Sequence, residues 1–125
     1  MPTVVDSTVL IDCFRGRPEA LAFLVKARRT SNVMSVTPVR TEVLGGIRAD
    51  EVRRSMSILG LVIWIDVTVE LADMAAGLRR RYHRSHSGID VVDYLLAAAA
   101  THVAGALATS NVRHFPMFPG LARPY

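Results

Sequence analysis

Four acidic residues stand where a carboxylate could take part in chemistry. Asp6 ends a short apolar and β-branched run near the N-terminus, and an acid placed there is costly to bury unless a cation or hydrogen bonds compensate its charge. Asp90 and Asp93 are three positions apart, so both fall on one face of a predicted helix at the start of an alanine- and leucine-rich segment. Glu42 lies between two valines in another predicted helix.

Converging carboxylates raise one another's pKa unless a divalent cation neutralises them. A hard cation is therefore the expected partner of Asp6, Glu42 and Asp93. Oxygen ligands favour Mg²⁺ or Mn²⁺ over zinc, because the chain has one cysteine and its histidines lack metal-binding spacing. The histidines expected not to be ligands are His83, His86, His102 and His114. A bound ion of this kind could activate a water and stabilise charge on a phosphodiester.

Each acid also has an ordinary structural explanation. Asp6 could cap the helix that follows it, and Asp90 falls in a first helical turn, where the macrodipole favours an acid. Glu42 could be a solvated glutamate on a helix surface. Asp93 is the hardest to explain in this way, because it lies deeper in the apolar segment.

The elements that would position these acids alternate between strands and helices. Strands are predicted at Thr3–Asp6, Val33–Val36, Val62–Asp66 and Gly105–Thr109. Helices are predicted at Val9–Phe14 with Ser7 or Thr8 as N-cap, from Pro18 towards Thr30, from Thr37 as N-cap and Pro38 to Gly45, at Ala49–Leu59, from the Thr68 cap to Tyr82, and at Asp90–Val103. The tail, Asn111–Tyr125, is expected to fold back on the body. This order predicts a three-layer α/β/α sandwich with a central parallel sheet, whose strands end at the ligand crevice.

Size and composition favour a single globular domain that spans residues 1–125, since 50% of the residues are hydrophobic and 21% are charged. No stretch approaches the roughly 18 apolar residues of a membrane helix, so no membrane association is expected. Cys13 is the only cysteine, which excludes an internal disulfide and predicts a small buried hydrophobe. We expect a cytoplasmic protein.

The chain is basic, with a formal charge of +4, and all but one of its 15 lysine and arginine residues are arginine. The planar guanidinium group suits phosphate and stacked bases. The densest basic stretch contains Arg79, Arg80, Arg81 and Arg84 and precedes the acidic pair, and Arg113 and His114 are smaller candidates. These arginines could hold a nucleic-acid backbone, or they could simply favour the C-terminal dipole of a helix.

Four segments, in this order, resemble the VapC-type toxins of bacterial and archaeal toxin–antitoxin pairs, which belong to the PIN-domain nucleases. The segments are VVDSTVLID at 4–12, TPVRTEVLGG at 37–46, IDVVDYLLAAAA at 89–100 and ATSNVRHFPMFPGL at 108–121. The resemblance covers nearly the whole chain. It implies four catalytic and metal-binding acids: Asp6 after the first strand, Glu42 in the second motif, Asp93 before the Leu-Leu-Ala-Ala run, and Asp90 as an auxiliary acid.

The last segment departs from the family pattern. The family often has an aspartate after the final strand, where this chain presents Thr109 and Asn111. The departure puts a second metal in doubt, because a neutral amide is a poorer ligand than a carboxylate. Asn111 is expected to orient water or substrate during catalysis, and Thr109 to contact substrate.

The resemblance implies an endoribonuclease that uses Mg²⁺ or Mn²⁺ to cut a structured RNA, such as transfer or ribosomal RNA, and so inhibits translation. It also implies a homodimer and a hetero-oligomer with a VapB-like antitoxin. The missing fourth acid leaves open a non-catalytic PIN-like module that binds RNA or protein. A third hypothesis, phosphoryl transfer through Asp6, fits less well, because Thr8 stands where haloacid-dehalogenase-like phosphatases have a second aspartate.

Overall fold

The computed structural model describes residues 1–125 and places the first strand inside a four-stranded parallel sheet. β1 (Thr3–Val5) pairs with β2 (Val33–Val36) on one side and with β4 (Ala106–Ala108) on the other. β3 (Ile63–Ile65) pairs with the outer side of β2, which gives the order β3-β2-β1-β4. Both valines of β1 are fully buried, as expected for a strand that is covered on both faces.

Two layers of helices cover the sheet. The α-helices are α1 (Ser7–Phe14), α2 (Pro18–Thr30), α3 (Thr37–Gly45), α4 (Val52–Leu59), α5 (Val69–Tyr82) and α6 (Val91–His102). One layer contains α1 packed against α2, α3 and α4, and the other contains α6 packed against α5 and against β1, β2 and β4. The predicted three-layer α/β/α architecture is therefore confirmed. None of these helices is long and apolar enough to cross a membrane.

The most deeply buried helix is α6, in which every residue from Asp93 to Ala100 is buried. This burial explains the alanine- and leucine-rich composition, since small side chains let a helix lie close to the sheet beneath it. Asp93 is the only charged residue of this buried stretch. The fold thus carries an acid into the interior at the start of the helix.

Glycine is required where β4 begins beside β1. The backbone nitrogen of Ala106 donates to the carbonyl oxygen of Pro2 at 2.9 Å, so the segments that lead into β4 and β1 are already in contact at this point. A Cβ atom on Gly105 would lie 2.9 Å from the same oxygen, which is closer than a side chain tolerates.

Two helices begin slightly differently from the prediction. α1 begins at Ser7, and Asp6 occupies its N-cap position without a side-chain capping hydrogen bond. The hydroxyl groups of Ser7 and Thr8 donate to the Asp6 carboxylate and do not cap the helix. α3 begins at Thr37, so Pro38 occupies the second helical position and not the first. Proline fits at either position, since the first-turn N–H groups have no helical partner.

The remaining boundaries agree closely with the sequence pattern. The predicted cap at Thr68 is confirmed, since its hydroxyl oxygen accepts the backbone N–H of Leu71 at 3.1 Å. The segment predicted as one helix from Ala49 begins as a 3₁₀ turn, Ala49–Glu51, before α4. The tail folds back on the body as expected, and it contains a second 3₁₀ helix, Val112–His114, that the pattern did not indicate.

Candidate active site

The acidic residues lie around the ends of the strands. Asp6 directly follows β1 at the N-cap position of α1, and Thr109 directly follows β4, the neighbour of β1. β2 runs straight into α3, which carries Glu42. Asp90 caps α6, and Asp93 lies in the first turn of that helix. Parallel strands bring these positions to one edge of the sheet, where ligands bind in folds of this kind.

Hydroxyl groups surround Asp6, which is only 5% exposed. Ser7 Oγ donates to Oδ1 at 3.0 Å and Thr8 Oγ1 donates to Oδ2 at 3.4 Å. Thr109 Oγ1 donates to the same Oδ2 from the end of β4. These donors reduce the cost of burying the carboxylate, but they bring no positive charge to it.

The structure gives Thr109 a role other than the expected contact with substrate. The residue is fully buried, which leaves no surface for an RNA to touch. Its hydroxyl oxygen donates to Asp6 and accepts the backbone N–H of Asn111 at 2.9 Å. Thr109 therefore holds Asp6 in place, while Asn111 remains exposed at the surface.

Asp90 and Asp93 form a reciprocal capping box at the start of α6. The backbone N–H of Asp93 donates to Asp90 Oδ1 at 2.9 Å, and the backbone N–H of Asp90 donates to Asp93 Oδ2 at 3.3 Å. The predicted capping role of Asp90 is thus confirmed. Asp93 Oδ2 also lies 2.9 Å from Nδ1 of His114. Asp90 is exposed, whereas Asp93 is only 8% exposed.

Neighbouring acids contribute to a raised pKa at Asp93 and at Glu42. Burial raises the pKa of Asp93 to about 6, and the charges of Asp90 and Asp6 add to the rise, while the Asp90 backbone N–H and His114 oppose it. Partial desolvation also raises the pKa of Glu42, with further contributions from Asp90, Asp6 and Asp93. Glu42, Asp90, Asp6 and Asp93 thus share one electrostatic environment, because such effects weaken with distance.

A fifth acid lines the crevice beside Glu42. The crevice walls include Thr41, Asp66, Val67 and Val92. Asp66 immediately follows β3, and the sequence interpretation treats it only as the end of that strand. Its position at the carboxyl end of a predicted parallel strand, like that of Asp6, was the signal that could have identified it.

The donor set suits a hard divalent cation, although the side chains are not assembled as a three-ligand site. No three His, Cys, Asp or Glu side chains lie close enough together to hold one metal ion. Direct convergence of Asp6, Glu42 and Asp93 on a single ion is therefore not seen. Mg²⁺ commonly uses one or two carboxylates and keeps several waters. Asp93 suits such an ion, since both of its hydrogen bonds end on Oδ2 and none ends on Oδ1.

Comparison with known proteins agrees with this geometry. The profile of the PIN domain matches residues 3–118. The chain is 42% identical over 123 residues to Ribonuclease VapC19 of Mycobacterium tuberculosis, covering 98% of each protein. It is 39% identical over 122 residues to Ribonuclease VapC10 of the same organism, covering 98% of this chain and 92% of that protein. The chain is a PIN-domain protein of the VapC type.

Two solved structures resemble this chain over almost its whole length. A chain in a toxin–antitoxin complex from Klebsiella pneumoniae is 25% identical, with a TM-score of 0.77 and 98% coverage of both chains. A chain of VapBC2 from Rickettsia felis, bound to a DNA fragment from their promoter, has a TM-score of 0.78 and covers 98% of this chain and 97% of its own. At 18% identity, the second likeness shows the fold alone.

The arginines singled out in the sequence are exposed in this PIN domain, and no salt bridge engages them. Arg79, Arg80 and Arg81 form the last turn of α5, and Arg84 follows just beyond it. Residues 83–90 connect this end of α5 to the start of α6, where the acidic pair lies. The structure therefore leaves these cations free to meet phosphate, although Arg79–Arg81 also lie where the helix dipole favours positive charge.

The structure gives one histidine of the VapC-type site a contact that the sequence did not indicate. His83 contacts a backbone carbonyl and His86 contacts a serine hydroxyl, and both are exposed. His114 instead contacts Asp93, and its side chain is 33% exposed. Its place just after Asn111, in a motif already linked to the site, was the available signal. Cys13 is fully buried as predicted, and burial raises the pKa of its thiol to about 11.

Proposed function

We propose that this VapC-type PIN domain is a metal-dependent endoribonuclease and the toxin of a toxin–antitoxin pair. The observation that carries the proposal is the group of Asp6, Glu42, Asp90 and Asp93, whose charges meet at one edge of the sheet without a lysine or arginine to pair with them. Identity of 42% to a protein named as a ribonuclease supports RNA as the substrate.

Asp6 and Asp93 are the proposed principal ligands of Mg²⁺ or Mn²⁺, because both are buried and the charge of Asp6 raises the pKa of Asp93. Glu42 and Asp90 complete the acidic surroundings and hold water or outer ligands. A bound ion would supply a Lewis acid that activates water and stabilises charge on the phosphodiester. Exposed Asn111 orients water or substrate.

The substrate is proposed to be a structured RNA, such as transfer or ribosomal RNA, whose cleavage inhibits translation. Arg79, Arg80, Arg81, Arg84 and Arg113 hold its backbone, which their exposure and their lack of salt bridges support. Backbone contacts of this kind position an RNA without reading its sequence. Selection of the bond then depends on the RNA's shape and on the crevice.

A VapB-like antitoxin is the proposed inhibitor, since the 25% identical structural relative from Klebsiella pneumoniae comes from a toxin–antitoxin complex. We further propose that the chain is a single domain that acts in the cytoplasm, as a homodimer and within a hetero-oligomer with its antitoxin. Co-purification with a small partner whose removal releases RNA cleavage would test this part.

The nuclease proposal is tested with purified protein and transfer or ribosomal RNA. Cleavage should require Mg²⁺ or Mn²⁺ and stop in EDTA, and Asp6→Asn and Asp93→Asn should each reduce its rate at least about 100-fold. Asp50→Asn, which changes an exposed acid on the Ala49–Glu51 turn, is the matched control and should cleave normally. Circular dichroism checks that each variant folds.

The competing function is a non-catalytic module that binds RNA or protein, and Asn111 in place of an aspartate favours it. Metal-dependent RNA binding without cleavage by the wild type would support that module and overturn the ribonuclease. Cleavage that both aspartate variants retain would also contradict the proposed site.

A further inference from the structure

A short segment after β4 contacts both buried acids of the site. At one end of this segment, Thr109–His114, the Thr109 hydroxyl donates to Asp6. At the other end, Nδ1 of His114 lies 2.9 Å from Oδ2 of Asp93. Asp6 and Asp93 belong to different elements, the start of α1 and the first turn of α6. The segment therefore fixes one acid relative to the other.

The segment is itself firmly anchored. The backbone N–H of Ser110 donates to the Thr8 hydroxyl at 3.0 Å, and that of Asn111 donates to the Thr109 hydroxyl at 2.9 Å. The backbone N–H of His114 donates to the carbonyl of Asn111 at 3.0 Å, closing the 3₁₀ turn. Phe115, the next residue, is 1% exposed and packs into the core. The backbone at His114 is thus held in position from both sides.

The hydrogen bonds to Asp93 are distributed unequally between its two oxygens. Oδ2 accepts the backbone N–H of Asp90 and lies within hydrogen-bond distance of His114, whereas Oδ1 has no hydrogen bond. An ionised carboxylate can only accept, so Nδ1 of His114 donates in this pair. The bonding pattern restrains rotation of the carboxylate and leaves Oδ1 available to a ligand.

We propose that His114 is a positioning residue, which holds Oδ2 of Asp93 so that Oδ1 is presented to a divalent ion. This role rests on the metal site of the proposed function, and it assigns a purpose to a histidine outside the set of acids. Partners that orient a ligating side chain are a general feature of metal sites. His114 and Asp93 are suited to it, since their side chains are 33% and 12% exposed and water competes little for the contact.

Three substitutions at one position separate orientation from packing. His114→Asn places an amide nitrogen close to the position of Nδ1, His114→Gln places one close to that of Nε2, and His114→Ala removes the donor. Mn²⁺ affinity is measured by isothermal titration without RNA, and kcat and KM are measured for RNA cleavage. His102→Ala, which removes an exposed histidine at the far end of α6, is the control.

His114→Ala and His114→Gln should weaken Mn²⁺ binding and lower kcat by about 10- to 100-fold with little change in KM. His114→Asn should recover most of both properties, because it restores the donor to Oδ2. His102→Ala should match the wild type. Thermal unfolding is followed in parallel, and the two amide variants remain comparable if the alanine variant folds poorly.

Several results would overturn the proposal. His114→Asn as defective as His114→Ala would show that the imidazole acts in another way, such as direct ligation. Wild-type Mn²⁺ affinity in His114→Ala and His114→Gln, or no Mn²⁺ binding by the wild type, would also contradict it. The predicted pattern of Mn²⁺ affinities in a protein that cleaves no RNA would support the positioning role and refute the ribonuclease.

Discussion

Asp12 on α1 and Asp93 on α6 are both partly shielded from water, but the protein compensates their charges differently. Asp12 Oδ2 lies 3.1 Å from Nη1 of Arg17 and accepts a hydrogen bond from the Tyr125 hydroxyl at 2.6 Å. The Arg17 guanidinium also lies 5.1 Å from the centre of the Tyr125 ring. Asp93 is more deeply buried, yet no arginine or lysine pairs with it, and its neighbours include Asp90 and Asp6.

The difference indicates which acids stabilise the fold and which serve function. Asp12 is paired with Arg17 of the same chain, and its contact with Tyr125 holds the tail against α1. Acids that lie together without such a cation destabilise the fold. A protein retains an acidic cluster of this kind mainly where an external cation or a substrate is needed. The net charge of +4 would not distinguish structural acids from functional ones, since it describes the chain as a whole.

The largest expected difference concerns the free energy of unfolding, which should rise when Asp93 is replaced by asparagine and fall when Asp12 is replaced. Burial raises the pKa of Asp93 from 3.8 to about 6, so its ionisation lowers the free energy of unfolding as pH rises between these values. In EDTA at pH 7.5, Asp93→Asn should raise that free energy by about 2 kcal/mol. The gain should vanish below about pH 3, where the carboxyl is protonated in both states. Urea unfolding across this pH range measures the change.

Asp12→Asn is the matched control for this experiment. It removes the negative charge that Arg17 pairs with, so it should lower the free energy of unfolding by about 1 kcal/mol at pH 7.5. Destabilisation by Asp93→Asn at pH 7.5 in EDTA would contradict the distinction between the two acids. It would show that the capping box outweighs the cost of the buried charge.

The arginines, like the acids, include some that form salt bridges within the chain and others that do not. Arg17 is engaged by Asp12, whereas Arg80, Arg81 and Arg84 are exposed and free of salt bridges near the start of α6. Replacing these three with glutamine should weaken RNA binding in EDTA about tenfold and reduce the salt dependence of binding. Filter binding at several salt concentrations measures both effects.

Arg28 and Arg29 provide a comparison for this triple variant, because they too lie exposed in the last turn of a helix, α2. Arg28→Gln with Arg29→Gln should leave RNA affinity nearly unchanged. A loss per removed charge that is equal in both variants would mean that binding follows net charge, and that the end of α5 has no special role.

Much of the fold could be predicted from local patterns. Short β-branched runs alternated with helical segments, and the buried α6 was visible in its alanines and leucines. Asp6 and Glu42 were also identifiable, because parallel strands bring their carboxyl ends to one edge. Periodicity and element order were sufficient for this level of description.

The contacts that tune the site were not predictable in this way. Thr109 donates to Asp6 across 103 positions, and His114 meets Asp93 across 21. Such pairs depend on the register of β4 and on an unpredicted 3₁₀ turn, neither of which leaves a local signal. The contact between Asp12 and Tyr125 spans 113 positions and was missed for the same reason.

Tyr125→Phe is the mildest change, since it removes only the hydroxyl group that donates to Asp12. The ring still packs near Phe23, with 6.0 Å between ring centres, and Arg17 still pairs with Asp12. The free energy of unfolding should therefore fall by only about 1 kcal/mol. Tyr82→Phe, which removes a hydroxyl elsewhere, should have almost no effect. Because Tyr125 contacts α1 and α2 and none of the crevice acids, RNA cleavage should persist, and its loss would mean that the two acid groups are coupled.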